Sequence, residues 1–273
     1  MLIVPCADGI GKYLSADHSP FFLSWARYVA GSAFVVPALL LTRGSGQVAL
    51  GQMPAQLLRA ALLTAAVGFY YLAIARIPLA DALGAYFVAP ILATLLSALF
   101  LKEKLNARRI VAVAVGFAGA LIVAKPGVSM DLGMAFALGA GACMSCYIVI
   151  TRAVARASPP LATLALQYLC GGLLLLAPAL SHWSLPSSGS FILILLMGLI
   201  AATSHLLVIG AFRLAEASAL SPLIYFELVG TTIFGVLVFG NFPSWTTWIG
   251  IGLVVAGGLV LIERTTEPNS TPG

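Results

Sequence analysis

Charge is what this sequence lacks most: Asp, Glu, Lys and Arg together make up 8% of its 273 residues, where a soluble domain carries about a quarter. That shortage excludes a water-solvated globule, because too few polar side chains exist to cover one. Cysteine is scarce too. Cys6, Cys143, Cys146 and Cys170 all fall inside apolar stretches, where a thiol behaves as a small hydrophobe and implies no oxidising compartment. Cys143 and Cys146 form a Cys-x-x-Cys, but without the strand-to-helix setting of a redox site they read as inert packing. Also missing are a Walker A run, a Gly-x-Ser-x-Gly and a His-Glu-x-x-His, so the chain does not drive itself with ATP and carries no common hydrolase signature. Ser204 adjoins His205, yet neighbouring helical residues point about 100° apart and cannot form a dyad. No cofactor and no metal are expected.

What there is in quantity is apolar sequence, 61% by composition, with a mean hydropathy of +1.06. A helix needs about 20 residues to cross a hydrocarbon core of about 30 Å. Runs of that length stand at about 21–41, 57–76, 80–101, 107–124 and 132–154, then at about 161–180, 190–212, 217–239 and 245–262. A shorter run covers residues 1–14, interrupted by Asp8 and Lys12, without the layout of a signal peptide. At roughly 21 Å it falls short of the core, and an upstream in-frame extension of about ten apolar residues is expected to complete it. The expected fold class is all-α, a polytopic membrane protein of ten transmembrane helices whose first helix is shortened.

With Met1 on the cytoplasmic side, the inside loops and ends collect Arg43, Arg59, Lys102, Lys104, Arg108, Arg109, Arg152, Arg156, Arg213 and Arg264, while the outside loops receive Arg76 and Lys125. This is a strong positive-inside asymmetry. It predicts a multi-pass protein of the cytoplasmic (inner) membrane with both termini in the cytoplasm. It also accounts for the formal net charge of +5, so the lipid bilayer and not a nucleic acid is the expected partner of the basic residues.

The chain repeats itself. A shift that aligns Arg76 with Arg213 also aligns Ala80 with Ala217, Ala82 with Ala219, Leu83 with Leu220 and Thr94 with Thr231. One residue further, Ala118-Gly119-x-Leu121 meets Ala256-Gly257-x-Leu259, and upstream Ser19-Pro20, Tyr28, Gly31 and Pro37-Ala38-Leu39 are echoed by Ser158-Pro159, Tyr168, Gly171 and Pro178-Ala179-Leu180. The repeat unit is five helices, an odd number, so the halves are expected to enter the membrane in opposite senses around a midplane site. The expected domains are residues 1–125 and 131–263, followed by a disordered cytoplasmic tail, 264–273. Small residues at Ala112, Gly116 and Ala120 in the fifth span, and at Gly252 and Ala256 in the tenth, permit close helix packing. A partner in the same chain and a second copy, giving a homodimer, both remain open.

Ionisable groups at membrane depth are costly and are the first candidates for function. Asp8 and Lys12 stand four apart on the first span and share a face, which suits an intrahelical ion pair or a substrate or proton site. Arg27 lies within snorkelling range of the outer boundary and reads as an interface anchor or as a ligand for an anionic or carbonyl group. Glu227 sits in mid-span after Ser221-Pro222 and Tyr225-Phe226, where the proline weakens the helix and frees a carbonyl to line a cavity. It is the leading candidate for proton carrier or amine ligand, against a structural carboxyl. His205 is a weaker candidate. Tyr70, Tyr71, Tyr86, Tyr147, Gln167 and Tyr168 have rings or polar tips suited to a pocket, although packing and interfacial belts use aromatics as well. Pro90 aligns with Glu227 in the repeat, so a kinked fourth span is expected to face a kinked ninth.

On Asp8-x-x-x-Lys12-Tyr13, Arg27-Tyr28, the run from Tyr71 through Ala82 and Pro90 to Lys102-Glu103, and Tyr225-x-Glu227 with Phe239-Gly240-Asn241-Phe242-Pro243, the chain resembles the drug/metabolite transporter superfamily. The resemblance is to carriers with two EamA-type domains, nearest the branch of S-adenosylmethionine and riboflavin carriers. Two departures stand out: Asn241 where that family usually has a glutamate, and the short first span. The resemblance implies alternating access through a cavity lined by spans 1, 3, 4, 6, 8 and 9, with spans 5 and 10 peripheral.

The expected function is a secondary transporter of a small polar organic metabolite, amino-acid, nucleoside-like or vitamin-like. Its expected substrate-binding residues are Glu227, Asp8, Arg27, Tyr71, Tyr147, His205 and Tyr225. The alternatives are a non-transporting membrane partner or receptor subunit and, behind it, an intramembrane enzyme.

Overall fold

The computed structural model describes residues 3–42, 48, 50–77, 79–124, 132–239 and 245–262, and the regular structure among them is helical throughout. Helix α1 is Val4–Leu14 and α2 is Pro20–Leu41; α3 is Met53–Ile74, α4 Leu79–Tyr86, α5 Val88–Leu101 and α6 Ala107–Ala124. Then follow α7 (Leu132–Val154), α8 (Pro160–Leu174), α9 (Leu176–Ser181), α10 (Ser188–Leu214), α11 (Ala217–Leu220), a 3₁₀ segment (Ser221–Phe226), α12 (Glu227–Phe239) and α13 (Trp245–Ile262). Arg43, Lys125, Asn241, Arg264 and the tail lie outside the described residues.

Prolines set several starts. Pro5, Pro20, Pro54 and Pro160 occupy the first turns of α1, α2, α3 and α8, where their missing N–H would have had no partner. The Ser19 hydroxyl accepts from the Phe22 N–H at 3.1 Å and caps α2, and Ser187 caps α10 in the same way. Five stretches, Pro20–Leu41, Met53–Ile74, Ala82–Leu101, Leu132–Val154 and Ser188–Leu214, are long and apolar enough to cross a membrane. Their outward faces carry large apolar side chains such as Leu41 and Leu99, as lipid-facing helices must. At 11 residues, α1 is about 16 Å long and does not span the core alone.

Three expected single spans are interrupted. The fourth breaks at Phe87, between α4 and α5, with Pro90 in the first turn of α5. The ninth passes through the 3₁₀ segment that opens on Ser221-Pro222 and resumes as α12 at Glu227. Both interruptions agree with the kinks read from Pro90 and Pro222. The seventh splits at Leu175 because Pro178 cannot donate to the Leu174 carbonyl and its ring crowds it.

Packing between the halves is reciprocal. Helix α3 lies on α7 and α1 on α10; α5 lies on α7 and α12 on α1; α2 lies on α10 and α8 on α3. Where α2 meets α8, Gly31 receives the ring of Tyr168 and Gly171 receives the ring of Tyr28, the two rings standing edge to face at 5.4 Å. These are four residues that the repeat aligned in pairs.

The other close crossing joins α6 to α13, so the small-residue face of α6 is used within the chain. On α13 the close face is not the expected Gly252 and Ala256, of which Gly252 has open space around it. It is Gly257, packed against the Ala112 carbonyl, and Gly250, whose carbonyl lies 2.6 Å from where a Cβ on Gly119 would stand. A Gly119→Val change therefore forces backbone apart and is expected to cost about 1–3 kcal/mol, whereas Gly252→Val stays near neutral. Melting temperatures of the two purified variants in detergent check the contrast.

Candidate functional site

Where the halves meet in the middle of the bundle, a narrow cavity of about 60 Å³ remains. Its polar wall is Asp8 from α1, Arg27 from α2 and Glu227 at the start of α12, with Tyr70, Tyr71, Tyr86, Tyr147, Ser204 and His205 around them. Leu63, Val67, Met144, Ile148, Phe212 and Ile224 close the apolar remainder. Convergent polar groups in an apolar cleft at a domain junction are the usual form of a small-molecule site. Ligand pockets run to about 300–1,000 Å³, so a metabolite needs this one to widen.

The charges pair differently from expectation. Asp8 does not pair with Lys12: its carboxylate accepts from Arg27 Nη1 at 3.1 Å, across from α1 to α2, with both side chains largely buried. Lys12 Nζ instead donates to the Ile74 carbonyl at 2.6 Å, one of the last carbonyls of α3, which have no helical partner and draw a cation. Arg27 is accordingly no interface anchor. Its guanidinium lines the cavity, which adds the second span to those the resemblance implied, while α6 and α13 contribute nothing to the wall.

Glu227 is buried on the cavity wall, placed there by the 3₁₀ segment that ends just before it. His205, also buried, stands edge-on to Tyr147 and Tyr168, each with ring centroids 6.4 Å away. Tyr71 lines the cavity with its hydroxyl 3.2 Å from Met197 Sδ, and the buried Tyr70 hydroxyl has no partner. Tyr225 does not line the cavity. Fully buried, it packs its ring on Gly116 and Phe87 and donates its hydroxyl to the Phe87 carbonyl at 3.4 Å, because the 3₁₀ turn carries it to the side opposite Glu227. Tyr168 and Gln167 lie behind the wall. Among the described residues no group of three or more His, Cys, Asp or Glu converges to hold a metal.

One residue escaped the sequence reading. Arg59, counted among the cations of the inside loops and ends although it stands within the run at 57–76, lies in the second turn of α3 and is fully buried. Its Nε donates to Gln56 Oε1 at 3.1 Å, Nη1 to Gln167 Oε1 at 2.6 Å and to the Tyr147 hydroxyl at 3.4 Å, and Nη2 to the Thr163 carbonyl at 2.9 Å. A signal was Pro54: as a first-turn proline it starts the helix at Met53 and moves Arg59 from the end of the span to its second turn.

Residues 9–125 and 131–262 match the EamA-like transporter family. The chain belongs to that family. Among curated relatives, the riboflavin transporter of Brucella anthropi is 25% identical over 91% of this chain and 90% of its own length. The S-adenosylmethionine uptake transporter of Rickettsia prowazekii is 22% identical over 93% of this chain and 87% of its own. A solved crystal structure, 23% identical, shares the fold with a TM-score of 0.79, covering 95% of this chain and 94% of that one. This EamA-family chain is thus a membrane transporter and not an enzyme.

In this transporter a cluster of charges past the end of α5 also ties the two halves together. The Glu103 carboxylate, just past α5, accepts the Ala217 and Ser218 N–H groups at 3.0 and 2.9 Å, capping α11 in the other half. Arg152 Nε approaches it to 3.5 Å, and Arg109 ties Glu216 to the Ser218 hydroxyl. Burial opposes ionisation of Glu103, but hydrogen bonds from Ser218, Ala217 and Ser97 prevail and hold its carboxyl below the usual range. A carboxyl lowered on folding contributes stability in full above its ordinary pKa of 4.5 and loses it as pH falls through the folded value. Glu103→Gln is therefore expected to lower the melting temperature at pH 7 and to flatten its decline below pH 4.5, which a pH series of thermal unfolding in detergent measures.

Proposed function

We propose that this chain is a secondary carrier that moves a small polar organic metabolite, of amino-acid, nucleoside-like or vitamin-like kind, across the cytoplasmic membrane by alternating access. The observation that carries the reading is the central cavity, where Asp8, Arg27 and Glu227 converge at the junction of the two halves. Asp8, Arg27, Tyr71, Tyr147, His205 and Glu227 contact the solute in this reading, and Tyr225 is a strut that holds the two helix breaks together. Membership of a transporter family and relatives named as riboflavin and S-adenosylmethionine transporters support the solute class.

Ten crossings in two inverted five-helix repeats are supported by the reciprocal helix pairs and by the exchange of Tyr28 and Tyr168 onto Gly171 and Gly31. An inverted repeat gives two conformations of similar energy, each half taking the other's arrangement in turn. Rocking about α2 and α8 would expose the cavity first on one side and then on the other. Glu227 is the group for an amine or for a coupled proton in this reading, because it is an ionisable carboxyl buried on the cavity wall at membrane depth.

A ligand-stabilisation screen with amino acids, nucleoside-like metabolites, riboflavin and S-adenosylmethionine, followed by liposome flux of each hit, is the direct test. Specific binding raises the melting temperature by mass action. Wild-type flux is expected to vary with pH and Glu227→Gln to flatten that variation; unchanged pH dependence in the variant removes Glu227 as proton carrier. For orientation, a C-terminal fluorescent protein is expected to glow and a C-terminal alkaline phosphatase to stay inactive, and the reverse would place the terminus outside.

A further inference from the structure

Among the described residues, no carboxylate pairs with Arg59. Its acceptors are two amide oxygens, a phenol and a backbone carbonyl, all neutral. The guanidinium has five N–H groups, so one is left over. Around it the supply of donors exceeds the acceptors: Gln56 Nε2 and Gln167 Nε2, both on fully buried residues, have no partner, nor does the Thr163 hydroxyl. The amide orientations follow from the guanidinium, since turning either would set NH₂ against N–H. A buried cation among unused donors lacks one chemical object, an anion with several acceptor lone pairs.

We propose that the Arg59 cluster is an oxyanion site, which binds the carboxylate or phosphate of a solute passing between the cavity and the α3–α7–α8 end of the bundle. Tyr147 connects the two places. Its side chain lines the central cavity, its hydroxyl is 3.4 Å from Arg59 Nη1, and the guanidinium stands over its ring at 5.5 Å from the centroid. Rotation of that one side chain opens the cavity onto the guanidinium and the free amides. A planar guanidinium with flanking NH₂ groups favours oxyanions over a spherical halide, because it offers parallel N–H bonds. That the anion belongs to a carried solute rests on the transport reading above; the site itself rests on local charge alone.

The test uses purified full-length protein in a nonionic detergent, titrated with sodium acetate and, separately, sodium phosphate. Sodium chloride at equal ionic strength is the control. A saturable rise in melting temperature at millimolar acetate marks a carboxylate site, and one at millimolar phosphate a phosphate site. Arg59→Gln is expected to abolish the rise. Since that change could also impair folding, Gln167→Glu provides the second arm: it places a carboxylate where an amide now accepts from Nη1 at 2.6 Å. This variant is expected to melt higher than wild type without added anion and to lose the response. Response to neither anion, an equal response to chloride, or one that survives in Gln167→Glu overturns the site. Flux failing while the oxyanion response persists would remove the carrier reading and leave the site, and the opposite result would do the reverse.

Discussion

Nothing in a hydrocarbon core can hydrate a charge, and the 3.1 Å contact between Asp8 and Arg27 is how the centre of this bundle meets that constraint. Either group alone would be forbidding there; together they form a neutral dipole that can line a cavity. The pair also dictates geometry. It fastens α1 to α2, and because Lys12 is held by the end of α3, the short first helix is pinned on two sides. Glu227 lines the same cavity from the other half.

The same constraint acts on the backbone. A helix interrupted in lipid exposes carbonyls that water would otherwise satisfy, so each break has to be covered from within. The break at Phe87 is covered by the Tyr225 hydroxyl, which arrives on the 3₁₀ segment of the other half. One discontinuity thus donates to a carbonyl at the other across the repeat, and Gly116 is small so that the Tyr225 ring can reach the place. A site between two broken helices obtains walls that can move. That is the arrangement a cavity that must change volume requires.

Much of this was legible because membrane sequence is a blunt instrument with two sharp cues, length and charge. Apolar runs anticipated the five stretches long and apolar enough to cross a membrane, and the repeat that set Tyr28 on Tyr168 and Gly31 on Gly171 picked out residues that pack on one another. Asp8, Arg27 and Glu227 stood out as charges in apolar surroundings, and they do converge. What escaped was partnership. The i, i+4 rule favours Asp8 with Lys12, but a bare carbonyl row at the end of α3 and a guanidinium on α2 compete, and neither is visible from α1. Tyr225 and Glu227 are two residues apart, and only the 3₁₀ twist separates one as strut from the other as wall. Arg59 stood at the end of the 57–76 run and was counted among the inside charges; the helix begins four residues earlier, at Met53, and buries it.

The two ends of the cavity are closed by different physics, and on the proposed mechanism this bears on which opens more easily. One end carries an aromatic cluster, with Phe22 and Trp25 of α2 edge-on to Trp183 and His18 bonded to Ser184 at 2.6 Å. Separating it exposes apolar surface to water at about 25 cal/mol per Å², and nothing is regained. The other end is shut by Glu103, Arg109, Arg152 and Glu216. A crevice lined by Lys102, Arg152 and Arg156 already runs beside it, so these groups exchange protein partners for water when they part. Arg109–Glu216 is partly exposed and contributes about 0–1 kcal/mol, but the Glu103 side chain is only 7% exposed and holds two backbone N–H groups, so the cost of opening the charged end is concentrated in that one carboxylate. On the proposed mechanism, water entering that crevice would loosen the charged end at a single group, whereas the aromatic end would have to part as a cluster.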